Sequence, residues 1–260
     1  MAKLRAGELK NFLDEKAAEY NNPGFIGTDP ISIPHLFSKK EDIEITGFLA
    51  ATIAWGQRPT ILKNARQLAL WMDDAPHSFI LDFTKADLKP FRKFVHRTFN
   101  GEDAVYFLQA LQHIYRSHGG LEAVFAEGLK NGGLQDAITY FRSAFFEPEH
   151  PARTRKHVAD PSRNASAKRI CMYLRWMVRK DDRGVDFGIW RTILPSVLYA
   201  PLDLHSGATA RKLGLLTRRQ DDWKSVAELT ANLRLLDSSD PVKYDFALYG
   251  LGVFEGFNKT

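Results

Sequence analysis

The 260-residue sequence predicts an all-α fold of two helical lobes with a groove between them. Three observations carry that prediction. Apolar residues recur at the spacing of amphipathic helices along most of the chain. No alternating apolar–polar run is long enough for a convincing strand. Stretches containing proline and glycine separate the periodic segments. There is no internal repeat and no low-complexity tract.

Residues 8–20 form the first amphipathic segment. Residues 21–38 read as extended, with turn signals at Asn-Pro-Gly and Asp-Pro. An apolar helix is expected over 41–55, with acids in its first turn where the helix dipole favours them. A further helix over 58–73 carries Pro59 near its first turn. Over 102–117, Val105, Leu108, Leu111, Gln112 and Tyr115 recur at helical spacing. Helices at Leu121–Leu129 and Leu134–Phe145 each follow glycines. Residues 147–163 are rich in proline and charge and are expected to be a loop or linker, so the chain is one helical unit of 1–260 with two lobes. Helices resume over 166–179, 209–213, 222–236 and 241–251.

Composition narrows the function classes. At 44% apolar the chain can bury a sizeable core. No apolar run approaches the roughly 18 residues of a membrane span, so no membrane association is expected. The N-terminus has no apolar signal region, and the lone Cys171 excludes an internal disulfide framework and a four-cysteine metal site. These features predict a cytoplasmic protein. The formal charge is +5, but residues 153–180 hold nine Lys/Arg against one acid. Such concentrated charge suits a polyanion, since lysine and arginine gain affinity by releasing phosphate counterions.

Lys168 and Asp203 are the candidate chemistry. At 100° per residue, Ile170, Cys171, Leu174, Met177 and Val178 share one helix side, while Lys168, Met172, Arg175 and Arg179 fall opposite. Lys168 then heads a basic stripe near a helix N-terminus. A lysine amine becomes nucleophilic only when desolvation or neighbouring positive charge favours its neutral form. The helix dipole and Arg169 both act in that direction. Asp203 precedes another helix, where a carboxylate is stabilised as the anion and can face a developing sugar cation. It can equally be an ordinary helix cap, and His205 has a minor part as base or capping partner.

The segment Ser166-Ala-Lys168-Arg-Ile-Cys-Met-Tyr-Leu-Arg175, with Pro201-Leu-Asp203-Leu-His205 and Pro241-Val-Lys-Tyr-Asp245-Phe-Ala-Leu-Tyr249-Gly, resembles a bacterial family defined only as a domain of unknown function. The likeness extends to Gly47-Phe-Leu-Ala-Ala-Thr-Ile-Ala-Trp55-Gly-Gln57-Arg and Phe94-Val-His-Arg-Thr-Phe. The order of motifs is similar to the helix-hairpin-helix DNA glycosylase superfamily, nearest its archaeal 8-oxoguanine branch. That resemblance implies a bifunctional glycosylase and lyase acting on double-stranded DNA with a damaged base. Lys168 would be the Schiff-base nucleophile and Asp203 the essential carboxylate. Gln57, Asp245 and Tyr249 would meet the flipped base. Arg155, Lys156, Arg169, Arg175, Arg179 and Arg211 would contact DNA. No metal, organic cofactor or obligate protein partner is implied. The glycine-rich hairpin usual in that superfamily is replaced by Ala159-Asp-Pro-Ser-Arg-Asn-Ala-Ser166. The alternatives are a non-catalytic nucleic-acid-binding protein of the same fold and a helical protein-interaction module.

Overall fold

A computed structural model describes residues 5–257. It is mostly helical, and the chain forms two compact units. One contains the chain up to Phe25 and everything from Asp160 onward; the other spans Ile26–Ala159. The first helix, α1 (Ala6–Tyr20), thus belongs with the C-terminal part of the chain.

The central unit contains α2 (Lys40–Thr52), α3 (Arg58–Trp71), α4 (Pro76–Asp82), a hairpin of β1 (Val95–His96) and β2 (Phe99–Asn100), then α5 (Gly101–Ser117), α6 (Leu121–Leu129) and α7 (Leu134–Phe145). Its core is aromatic. Phe48 of α2 stacks on Phe107 of α5 at 5.8 Å, and Phe125 of α6 stacks on Phe141 of α7 at 4.5 Å. Phe145 meets Phe107 edge-on at 4.9 Å. The start of α5 is specified by a capping box. The Asn100 side chain accepts the N–H of Glu102 at 3.1 Å, and Asp103 accepts the Asn100 N–H at 3.0 Å. Helices α6 and α7 approach closely at Gly128, where any Cβ would lie 2.7 Å from the Ala137 Cα.

Two local expectations change. Residues 21–38 are not extended but wind through 3-10 turns at Pro23–Thr28, Pro30–Ser32 and Pro34–Leu36. Each opens on a proline, whose fixed φ suits the first helical position and whose missing N–H costs nothing there. The hairpin and α4 were not anticipated; two-residue strands are too short for alternation, and α4 has only two turns. The 147–163 stretch carries no α-helix, only 3-10 turns, and it is anchored up to Val158. Buried Thr154 donates to Asp103 at 2.7 Å, Arg153 pairs with Asp103 at 2.7 Å, and Arg142 donates to the Val158 carbonyl at 3.1 Å.

The other unit adds α8 (Lys168–Val178), α9 (Leu204–Lys212), α10 (Trp223–Leu236) and α11 (Tyr244–Val253) to α1. From Ile170 to Val178 every residue of α8 is buried. The irregular chain after it folds back on its end, with the N–H of Phe187 donating to the Trp176 carbonyl at 2.8 Å and that of Trp190 to Met177 at 3.0 Å. Helix α11 crosses α1 where Gly250 meets the Tyr20 ring, and α9 where Gly252 meets His205 and Thr209. Among the described residues no helix is long and apolar enough to cross a membrane.

Candidate active site

The approach to α8 is built from unusual backbone. Asp160 caps a 3-10 turn at Pro161–Arg163 by accepting the Ser162 N–H at 3.1 Å. Asn164 then turns left-handed at φ 66°, and its side chain donates to Asp222 at 2.9 Å. The Trp223 N–H donates to the Asn164 carbonyl at 3.1 Å, so this segment is fastened to the start of α10. Ala167, also left-handed at φ 50° and buried, is the N-cap of α8, its carbonyl accepting the N–H groups of Ile170 and Cys171 at 3.0 Å each. A left-handed alanine costs on the order of 1–2 kcal/mol. Lys168 is the first helical residue after it.

Asp203 is the N-cap of α9. Its Oδ1 accepts the N–H groups of His205 at 2.9 Å and Ser206 at 3.0 Å, while Ser206 Oγ accepts the Asp203 N–H at 2.9 Å. Its other oxygen, Oδ2, lies 3.1 Å from Lys168 Nζ. Both side chains keep some exposure, 30% for Lys168 and 26% for Asp203. Burial pushes the Asp203 carboxyl up, but the Lys168 charge and the Ser206 N–H prevail and hold it below its ordinary value. Capping and pairing with Lys168 are therefore simultaneous.

Asp245, in the first turn of α11, stands close enough to feel both charges. Burial pushes its carboxyl up to about 6 against the opposing Arg175; Asp203 raises it further and Lys168 lowers it. Two carboxylates near one lysine are thus pushed in opposite directions.

Arg175 and Arg179 are not on an outward stripe. Both are buried, at 3% and 4% exposure. Arg175 pairs with Asp186 at 3.2 Å and with Asp245, and Arg179 pairs with Asp181 at 2.7 Å, Asp186 at 3.2 Å and Asp240 at 2.9 Å. The Phe246 ring lies 4.2 Å from the Arg175 guanidinium and 5.6 Å from that of Arg179. Helix periodicity placed them outside because arginine is ordinarily exposed. Here α8 is covered on every side from Ile170 onward, and the partners come from the chain after α8, the approach to α11 and its first turn. Their guanidinium groups are committed to these carboxylates and do not form a phosphate-facing surface.

A family model described as protein of unknown function (DUF2400) matches residues 29–254. The chain belongs to the DUF2400 family. No curated protein and no solved structure matches it.

The remaining candidates of this DUF2400 chain are distributed as follows. Tyr249 lies one helical turn beyond Asp245, half-buried and edge-on to Phe25 at 5.9 Å and Phe254 at 6.0 Å. Gln57 is the exposed N-cap of α3, in the other unit. Arg211 donates to the carbonyls of Arg218 at 2.7 Å and Gln220 at 3.2 Å and pairs with Asp221 at 2.6 Å, which ties it to its own loop. Burial lowers the Arg169 guanidinium to about 10. Arg155 and Lys156 are exposed on the 3-10 turn Ala152–His157, with Arg155 over the Phe146 ring at 5.8 Å. Cys171 is buried and its thiol is pushed up to about 12, so it is no nucleophile. The sequence reading of this DUF2400 protein missed Asp181, Asp186 and Asp240. Their signal was the set of aspartates that follows the arginine helix in the chain, visible only once those arginines were treated as buried.

Proposed function

We propose that this protein is a DNA glycosylase and lyase that removes an oxidised purine, with 8-oxoguanine the first candidate, through a Schiff base on Lys168. The observation that carries the reading is the Lys168 amine, 3.1 Å from an Asp203 that caps the facing helix. The proposal takes the helices to be arranged as in helix-hairpin-helix glycosylases, with no metal or organic cofactor in this reaction.

In the proposed reaction the Lys168 nitrogen bonds to C1′ of the damaged nucleotide as the C1′–N bond to the base breaks, and the base leaves with the bond electrons and takes up the proton that the lysine nitrogen gives up. Asp203, held ionised, faces the positive charge that grows on the sugar. Asp245, pushed up to about 6, is the carboxylate with the basicity to accept the lysine proton. Ring opening gives an imine between Lys168 and C1′. Loss of a C2′ proton then expels the 3′ phosphate by β-elimination, and water releases Lys168. Tyr249 is proposed to meet the flipped base, and Arg155 and Lys156 to meet phosphates. The hairpin amides that usually hold a phosphate have no glycine-rich counterpart here; the left-handed turns at Asn164 and Ala167 stand in that position.

Borohydride trapping on duplex DNA carrying 8-oxoguanine or an abasic site tests this directly. A covalent adduct is expected with the native protein and none with Lys168→Gln. Adduct formation that survives in Lys168→Gln would remove Lys168 from the mechanism. Salt-sensitive DNA binding without any adduct would favour the binding-only reading.

A further inference from the structure

A second chemical cluster lies in the central unit, away in sequence from Lys168 and Asp203. His113 is in the last turns of α5, His118 is that helix's C-cap, and Glu147 follows the end of α7. His113 Nε2 is 2.9 Å from Glu147 Oε2, His118 Nε2 is 3.2 Å from the same oxygen, and the two Nε2 atoms are 3.2 Å apart. The imidazole planes meet at 73° with centroids 5.0 Å apart, so the rings do not stack; their nitrogen corners converge.

Three donor atoms gathered this way pose an electrostatic problem. A carboxylate oxygen and two imidazole nitrogens all present lone pairs unless a proton or a cation lies among them. A tetrahedral ion with bonds of roughly 2.0–2.1 Å holds its ligands about 3.3 Å apart. The observed triangle, 2.9 to 3.2 Å on each side, is close to one face of such a tetrahedron. Backbone electrostatics act in the same sense. The cluster sits at the C-terminal ends of both α5 and α7, where the partial negative charge of each helix favours a cation. The backbone holds the ligands in place: the His118 N–H donates to the Ile114 carbonyl at 3.0 Å and that of Glu147 to Ala144 at 3.3 Å.

We propose that His113, His118 and Glu147 bind a divalent transition-metal ion, zinc above all. Two imidazoles and one carboxylate match the borderline character of zinc, and three protein ligands leave a fourth position to water. The bound ion ties the end of α5 to the exit of α7 and so closes the chain segment that carries the α6–α7 hairpin. This site is independent of Lys168 and Asp203, and the sequence analysis did not single out its residues. Its signal there was faint: two histidines five apart and a glutamate well downstream.

The test uses the full-length protein, stripped with a chelator and titrated with Zn2+ by calorimetry, with Co2+ as spectroscopic probe. The expected result is a single Zn2+ per chain, visible bands of tetrahedral Co2+, and a higher melting temperature with Zn2+. His113→Gln and His118→Gln should each weaken binding roughly 100-fold or more, since even loss of an outer-shell partner costs 10–100-fold. Glu127→Gln, at an exposed carboxylate of the same unit, should leave binding unchanged. Glu147 is 61% exposed, so Glu147→Gln should remove the site without disturbing the fold, and far-UV circular dichroism checks that. Absence of stoichiometric binding by the native protein overturns the proposal, as does binding undiminished in well-folded triad variants.

Discussion

The two oxygens of Asp203 hold different partners, and that allows its structural and chemical duties to be separated by one atom. Oδ1 satisfies the free N–H groups at the start of α9, whereas Oδ2 faces Lys168. Asparagine keeps a carbonyl oxygen for the cap but loses the charge. Asp203→Asn should therefore keep the cap and lose only the pair with Lys168, roughly 0–1 kcal/mol, while Asp203→Ala should lose about 1 kcal/mol more, the usual cost of a missing cap. Both should lose imine formation. Urea denaturation beside borohydride trapping measures the two effects, and equal trapping by Asp203→Asn would show that the charge is dispensable. At this scale the sequence was partly legible. Lys168 and Asp203 stand out through motif order. Arg175 and Arg179 were misplaced because a periodicity argument treats every guanidinium as polar surface, and four aspartates, two just after α8 and two some sixty to seventy residues on, override that here.

Helices were read well where their ends carry their own chemistry. Asn100 with Asp103, and Asp222 before α10, are side-chain caps that fix a start without tertiary help. The limits of α6 and α7 follow from glycine at their starts. What periodicity cannot show is which helix crosses which. Helix α11 reaches α1 because residue 250 has no side chain: a Cβ there would stand 2.0 Å from Cδ2 of Tyr20, inside the ring's own contact distance. Gly250→Ala should thus force α1 and α11 apart and destabilise the protein by about 1–3 kcal/mol, the usual penalty for overpacking. Thermal unfolding checks this, and Gly250→Ala combined with Tyr20→Ala should recover part of the loss. An unchanged melting temperature in the single variant would mean that the two helices do not meet there.

Across the whole molecule the carboxylates set the dependence of stability on pH. Asp203, Asp181, Asp14 and Glu255 are held below their ordinary values by partners in the fold. Each binds protons less readily when folded, so its stabilisation is present above about pH 4 and is lost as pH falls through the lowered value. Asp245 has the opposite sign. Its carboxyl is raised to about 6, so between about pH 4 and 6 the folded protein holds a proton that the unfolded chain has released. That contribution makes stability decline as pH rises through this window. Denaturation midpoints measured from pH 3 to 8 should collapse at the acid end, and Asp245→Asn should remove the decline that Asp245 contributes between about pH 4 and 6. A native and a variant profile of identical shape there would refute the assignment. The helical class was legible at this scale from composition and spacing alone. One boundary between the units, after Ala159, lies within the 147–163 stretch that reads as a linker, whereas the membership of α1 was not legible, because no local pattern encodes its association with residues from the opposite end of the sequence.

The left-handed Ala167 has a consequence for how this protein can vary. Most buried alanines, such as Ala210 and Ala247, sit in ordinary helix and would accept a small β-branched replacement wherever space allows. At 167 the backbone itself does the selecting. Glycine and asparagine can enter its φ of 50°, whereas valine, isoleucine and threonine cannot do so without strain. Substitutional freedom one residue before Lys168 is therefore narrower than burial alone dictates, and drift at this position is confined to the few side chains that keep the lysine at the head of its helix.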